Sequence, residues 1–329
     1  MRLICALAEL EVDRKGASRT ALLFPGQGSQ FVGMLAKCKD KPKVQSMISC
    51  ANAIVGYDLL EVCLQGPSEK LDETSVCQPA LFLAGMAALE VLRETRPEAA
   101  DRPQAVAGLS LGEYCALCAA GVLEFDDALK LVMIRGAAMA EAAASTPQAM
   151  VSIAGLTEEV VSELCERAKQ AGSGEVEVCQ IANVLFKKGF ACAGTRPAVE
   201  RLREAAEKEK AMQAKLIKTS GGFHTELMKP AQEKLNAALK SIAPRMMPPR
   251  CDVYMNATGQ KVAAGTPPQE IIPILSQQLC SRVLWEPSMQ RMIDAGVEEF
   301  YEVGPDKQLK AMMKRIDQSA WSCTTNVEI

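Results

Sequence analysis

The apolar positions of this chain follow two rhythms that trade places along its length. Ala21-Leu22-Leu23-Phe24 is a short unbroken apolar run closed by Pro25-Gly26, the mark of a buried strand leaving into a loop. The loop, Gly26-Gln27-Gly28-Ser29-Gln30, is followed by a helical pattern. Gln78 to Leu92 predicts a buried helix, and Gln104 to Ala107 a second short strand. Gly108-Leu109-Ser110-Leu111-Gly112 comes directly after that strand, with a helical run from Glu113 and a further helix from about Phe125 to Ala144.

The middle of the chain has a different pattern. Ala149 to Ala154 alternates like a strand, and Thr157 to Ala171 is an amphipathic helix with Thr157 as N-cap and Glu158 and Glu159 in its first turn. Gly172-Ser173-Gly174 predicts a turn. Glu175 to Ala182 and Gly189 to Ala193 predict strands around a Lys187-Lys188 turn; Arg196 to Met212 predicts a charged helix and Lys215 to Thr219 a final strand. The order β-α-β-β-α-β is the ferredoxin-like pattern. It predicts a small inserted domain at 149–216 within a larger one formed by 1–148 and 217–329.

Beyond the insert the pattern predicts a helix at Pro230–Ile242, a strand at Asp252–Asn256 and a helix at Gln269–Leu279. A last strand at Glu298–Val303 runs into Gly304-Pro305, and a closing helix covers Asp306–Ile316. Strands alternating with helices predict an α/β fold, a parallel sheet covered on both faces.

Composition narrows the class. A 48% hydrophobic and 23% charged chain is an ordinary globular one, and a net charge of −3 gives no general reason to bind nucleic acid or an anionic membrane. The longest apolar stretch, Ala80 to Leu89, is too short to cross a bilayer. Residues 1–18 pair a short apolar run, Leu3 to Ala8, with Glu9, Glu11 and Asp13, which matches neither a secretory signal nor a transit peptide. Thirteen cysteines without framework spacing fit a reducing compartment. Cys115 and Cys118 have C-x-x-C spacing but lie in the apolar run Tyr114–Ala120, which favours core packing over redox chemistry. One histidine and no second C-x-x-C leave no zinc site.

The candidate chemistry starts at Gly108-x-Ser110-x-Gly112. Between a strand and a helix, this pattern is a nucleophile elbow, a strained turn that lifts the serine hydroxyl above the sheet edge. A serine needs a base, and if the base is an imidazole only His224 can supply it. His224 follows Gly221-Gly222-Phe223 in a loop after a strand, where α/β sheets build their sites. The Leu111 N–H and, from the first loop, the Gln27 N–H are candidate oxyanion donors. That loop is not a dinucleotide fingerprint, because Phe31 stands where the third glycine would be. Arg135 lies in the apolar segment Leu131–Gly136; it either snorkels or pairs with an anion such as a carboxylate.

Together these stretches resemble the malonyl-CoA:acyl-carrier-protein transacylase family, from about Ala21 to Ile316. The matching segments are Phe24-Pro-Gly-Gln-Gly-Ser-Gln30, Gln78-Pro-Ala80, Gly108-Leu-Ser-Leu-Gly-Glu-Tyr114, Met133-Ile-Arg-Gly136, Gly222-Phe-His224, Gln278-Leu279 with Val283-x-Trp285, and Glu302-Val-Gly-Pro305 with Lys314-Arg315. The resemblance implies an α/β-hydrolase-like large domain with a ferredoxin-like insert. It implies Ser110 as the acylated nucleophile, His224 as its base, Gln27 and Leu111 as the oxyanion hole and Arg135 as the carboxylate binder. Gln278 would orient His224 through its backbone carbonyl, and Phe223 would disfavour an α-methyl branch.

The implied activity is transfer of malonyl from malonyl-CoA to the phosphopantetheine thiol of acyl carrier protein, by a ping-pong route through a Ser110 ester, in fatty acid biosynthesis. A trans-acting acyltransferase of polyketide synthesis and a serine esterase or thioesterase stay open as alternatives, as does a non-catalytic carrier-binding module. No cofactor, metal, nucleic acid or membrane partner is expected, and the chain is expected to act as a monomer. Lys187, Lys188, Lys215, Lys218 and Arg282 are candidate docking charges for an acidic carrier. Leu109 replaces the histidine common in bacterial members and matches plastid forms, so a plastid is expected, with cytoplasm or mitochondrion as alternatives. Asn183 is followed by Val-Leu-Phe-Lys-Lys rather than Ser-Pro-Gly, which leaves the CoA contacts open, and Asp306 stands where glycine is usual.

Overall fold

A computed structural model describes residues 19–170, 177–219 and 221–329. The predicted turn at 172–174 and the start of the strand predicted from Glu175 lie outside the described residues, as does the N-terminal stretch 1–18. Among the described residues eleven strands form two sheets. The large sheet uses β1 (Thr20–Phe24), β2 (Ala105–Gly108), β7 (Asp252–Tyr254), β8 (Lys261–Val262), β10 (Glu299–Val303) and β11 (Thr324–Val327). The small sheet uses β3 (Gln148–Ala154), β4 (Cys179–Phe186), β5 (Gly189–Thr195), β6 (Gln213–Leu216) and β9 (Val283–Leu284).

The large sheet runs β11-β10-β1-β2-β7-β8, parallel throughout except for the β7–β8 edge pair. All five residues of β1 are buried, as a central parallel strand covered on both faces requires. Three neighbouring strands, β1, β2 and β7, end side by side, so their C-terminal loops meet at one place. Those loops carry Gln27, Ser110 and Asn256.

The helix predicted at Gln78–Leu92 spans Thr74–Thr95, and most of its residues are buried. It is long and apolar enough to cross a membrane by composition, but 89% of its apolar window is buried within the fold, where it packs on the helix Phe125–Ala144. The small sheet runs β6-β3-β5-β4-β9, with β3 to β6 mutually antiparallel and helices Glu158–Gln170 and Arg196–Lys208 packed on it. Val151, Ile153, Leu164, Ile181, Val199 and Leu202 give it a hydrophobic core of its own.

The structure departs from the sequence pattern in several places. Residues 31–41 form turns with positive φ at Gly33 and Leu35, and the helix expected directly after the first loop begins only at Pro42, a residue suited to a first helical turn. The helix predicted to reach Met212 stops at Lys208, just before the left-handed Lys210. The strand β9, contributed from beyond the insert, pairs parallel with β4 at Asn183 and Val184 and ties the small sheet to the chain's final third. Glu299–Val303 is not the last strand: Thr324–Val327 adds a parallel edge strand to it, which gives the unassigned tail a place.

Glu302 explains the Glu-Val-Gly-Pro segment. Its buried carboxylate accepts from the amides of Leu309 (2.7 Å) and Lys310 (2.8 Å) at the start of the helix Gln308–Ile316, and from Asn326 Nδ2 (2.8 Å) on β11. A helix N-terminus favours such an anion. Asp306 adopts φ 65°, the left-handed region in which glycine is unstrained and aspartate is tolerated.

Candidate active site

The elbow is built by close approach. A Cβ on Gly108 would lie 1.9 Å from the Gly112 carbonyl, and one on Gly112 would lie 2.1 Å from the Phe24 carbonyl oxygen. Only glycine lets the turn fold this tightly against β1. Ser110 between them has φ 53° and His224 has φ 61°; a left-handed conformation at both residues is the kind of strain that surroundings must hold in place.

What holds Ser110 is a hydrogen-bonded frame. Asn256, just beyond β7, accepts from the Ser110 amide at 2.7 Å and donates its Nδ2 to the Gly108 carbonyl at 2.7 Å. Gln278 Nε2 donates to the Ser110 carbonyl at 2.7 Å. The His224 loop is held from the insert side. Gln148 accepts from the Gly222 amide at 2.8 Å, and Gln180 Nε2 donates to the His224 carbonyl at 3.3 Å.

Ser110 Oγ lies 2.7 Å from His224 Nε2. His224 Nδ1 lies 2.8 Å from the Gln278 carbonyl, which can only accept, so the neutral ring carries its proton on Nδ1 and turns a lone pair to the serine hydroxyl. Burial, and then the nearby Arg135 cation, push the His224 pKa down to about 4, against the opposing hydrogen bond to Gln278. The imidazole is therefore neutral at physiological pH and able to take the serine proton.

Arg135 is buried and reaches the same hydroxyl: its NH2 donates to Ser110 Oγ at 3.0 Å. Gln278 Oε1 (2.9 Å) and Gln78 Oε1 (2.8 Å) also accept from the guanidinium, and Gln78 Nε2 meets Met139 Sδ at 3.2 Å. The reading of Arg135 as snorkelling to solvent does not survive this burial. Its bonding partners are neutral oxygens, so a ligand carboxylate would be the first anion in direct contact with it.

The Gln27 loop abuts the elbow, with Gly26 so close that a Cβ there would meet the Leu109 carbonyl oxygen at 2.3 Å. The Gln27 and Leu111 amides make no hydrogen bond among the described residues, and Leu111 stands at the start of the helix Gly112–Ala119. Gln27 Nε2 donates to Thr74 Oγ1 at 3.3 Å. Phe223 is buried, its ring packed over Gly221. Among the described residues no cluster of His, Cys, Asp or Glu could hold a metal ion. Cys115 and Cys118 have thiol pKa values raised by burial, as core thiols do.

The sequence profile of the acyl transferase domain matches residues 21–326. The malonyl-CoA–acyl carrier protein transacylase of Mus musculus mitochondria is 39% identical over 318 residues, covering 94% of this chain and 82% of the mouse protein. The chain belongs to the malonyl-CoA:acyl carrier protein transacylase family. Solved transacylases share its architecture. The enzyme from Coxiella burnetii superposes with a TM-score of 0.85 at 33% identity, covering 94% of each chain. A transacylase bound to a type II polyketide acyl carrier protein superposes with a TM-score of 0.84 at 33% identity, covering 95% of this chain and 96% of its own. The large α/β domain and ferredoxin-like subdomain of the family are the two sheets described above.

Family membership gives the departures a context. Relatives named in Mus musculus, Homo sapiens and Drosophila melanogaster are mitochondrial, so the plastid expectation drawn from Leu109 has no counterpart among them. Of the candidate docking charges, Lys218 is paired with Asp72 at 2.8 Å and Arg282 with Glu158 at 2.5 Å, while Lys187, Lys188 and Lys215 are exposed.

Four buried residues of the site carried no role in the sequence reading: Gln78, Glu113, Gln148 and Asn256. The first two lie inside motifs that matched the family. Asn256 had one signal only, its position at the C-terminal end of a strand next to the elbow strand. Asn256→Ala would leave the Ser110 N–H and Gly108 C=O buried without partners and is expected to cost about 2–4 kcal/mol. Urea unfolding measures this; a loss under about 1 kcal/mol would mean the frame is replaceable.

Proposed function

We propose that this enzyme transfers malonyl from malonyl-CoA to the phosphopantetheine thiol of acyl carrier protein through an ester on Ser110, in fatty acid biosynthesis. One observation carries the reading: a single serine oxygen lies 2.7 Å from a neutral imidazole nitrogen and 3.0 Å from a buried guanidinium. Ser110 Oγ attacks the thioester carbonyl as its proton passes to His224 Nε2. The Leu111 and Gln27 amides receive the oxyanion, and CoA leaves as a thiol carrying that proton. The carrier thiol then attacks the ester by the same steps in reverse. Arg135 holds the free carboxylate of malonyl, with the planar fork that suits it.

The esterase alternative calls for a carboxylate behind the histidine. His224 Nδ1 instead meets a backbone carbonyl, which supports the transacylase reading. The polyketide alternative draws on the relative solved with a polyketide carrier, and purified carriers of both kinds decide between them. The bulky ring of Phe223, next in sequence to His224, is proposed to crowd an α-methyl branch and so disfavour methylmalonyl. Location in a plastid is proposed from Leu109 alone, and a fluorescent fusion of the protein that sorts to mitochondria would retire it.

The test is intact protein mass after mixing with malonyl-CoA or acetyl-CoA, followed by addition of holo-carrier. A malonyl adduct that forms much faster than an acetyl one and is discharged by the carrier is expected. No adduct, or equal rates with both thioesters, would overturn the assignment.

A further inference from the structure

Glu113 is a carboxylate with no exposed surface, placed one residue after the elbow's second glycine and unused by the chemistry above. Its two oxygens have separate tasks. Oε1 accepts from the Asn256 amide at 2.7 Å, and Oε2 accepts from Gln278 Nε2. Asn256 then grips the Ser110 amide and the Gly108 carbonyl, and Gln278 grips the Ser110 carbonyl.

Donor and acceptor arithmetic gives Gln278 a fixed sense. Both of its side-chain hydrogens are engaged, by Ser110 O and Glu113 Oε2, so its Oε1 must face Arg135. Turning the amide over would set its oxygen against a carboxylate and a carbonyl, and its NH2 against the guanidinium. Glu113 thus decides which end of Gln278 Arg135 meets. Its position also breaks a general rule of stability, because a buried carboxylate is costly and is replaceable by a neutral isostere.

We propose that Glu113 is a positioning residue for malonyl transfer, acting through Gln278 to aim the Arg135 guanidinium and through Asn256 to hold the elbow. The inference deepens the transferase reading and depends on it. Burial is also the largest influence on the Glu113 carboxyl, raising its pKa to about 7 against the two N–H donors and Arg135. The charged form therefore carries a stability cost that the two donors and Arg135 only partly offset, a cost that a functional role would account for.

The test is Glu113→Gln, matched in shape but with an NH2 facing the Gln278 NH2. Acylation by malonyl-CoA and by acetyl-CoA is followed by intact mass, beside thermal unfolding of the same samples. The expected result is unfolding at the wild-type temperature or above, with malonyl acylation slowed at least ~10-fold and acetyl acylation slowed much less. A merely structural glutamate would instead lose stability and slow both acyl groups alike, and that result overturns the proposal. So do rates within about twofold of wild type for both. Should Glu113→Gln not fold, Glu113→Asp, whose carboxylate is too short to span both donors, is read against the same criteria. Wild-type protein is the control that separates the two failures: without its own malonyl adduct the transferase reading falls, whereas with it only the role of Glu113 is at stake.

Discussion

Ser110→Ala is expected to form no malonyl adduct and to lower transfer to carrier protein by about 10⁴-fold or more, while unfolding within about 1 kcal/mol of wild type. The two halves of this expectation follow from different atoms. The hydroxyl is the nucleophile, the hydrogen-bond partner of His224 Nε2 and the acceptor for Arg135 NH2, and all three functions vanish with it. The frame of the elbow uses only the main chain of residue 110, its amide on Asn256 and its carbonyl on Gln278, and the substitution leaves both intact. The left-handed backbone is no worse for alanine than for serine. Residual transfer would require the carrier thiol to attack bound malonyl-CoA directly. Intact mass and a carrier-loading assay read the activity, and urea unfolding reads the stability. An adduct that persists in the variant would move the ester to another residue and remove the mechanism. A variant that merely unfolds would show that the hydroxyl belongs to the frame.

Much of this architecture was legible because the relevant signals are local. Ala21–Phe24 and Gln104–Ala107 announce strands by unbroken apolar runs, and the paired lysines 187 and 188 mark a hairpin that closes between Phe186 and Gly189. Ser110, His224, Arg135 and Gln278 lie in segments whose order along the chain is itself informative, and the structure brings all four into one hydrogen-bonded set. What stayed hidden depends on contacts between distant segments. β9 has only two residues and exists because β4 offers it an edge. Asn256 matters because β7 lies beside β2, a neighbour 147 positions away at Ala105↔Asp252, and no local pattern reveals that adjacency. Glu113 looks like an ordinary first-turn acidic residue. Only burial shows that its carboxylate faces inward, toward the main-chain amide of Asn256 and the side chain of Gln278, both far along the chain.

Arg135→Ala is expected to lower kcat/KM for malonyl-CoA by about 10²–10⁴-fold while leaving acetyl-CoA unchanged or improved, so that the preference for a carboxylated acyl group collapses. Removing one partner of a buried, hydrogen-bonded charge pair costs about 3–5 kcal/mol, which sets the size of the effect. For acetyl the sign differs: a methyl group facing a desolvated cation gains from its removal. The same variant also tests the electrostatics of the base. In the wild type the His224 pKa lies near 4, lowered first by burial and then by the Arg135 cation. Activity requires the neutral ring, so kcat/KM for the free enzyme should hold as pH falls through 6 and decline only near that value. Taking away the cation removes the smaller cause and keeps the larger, so the acid limb should move upward while staying below the ordinary histidine value of 6.5. A substrate carboxylate docked on Arg135 would do the same to the wild-type ring, making His224 a stronger base only when malonyl is in place. Profiles of kcat/KM against pH, with both thioesters and both proteins, measure the preference and the limb together. An unchanged acyl preference would take the carboxylate away from Arg135, and a fixed acid limb would take away its influence on His224.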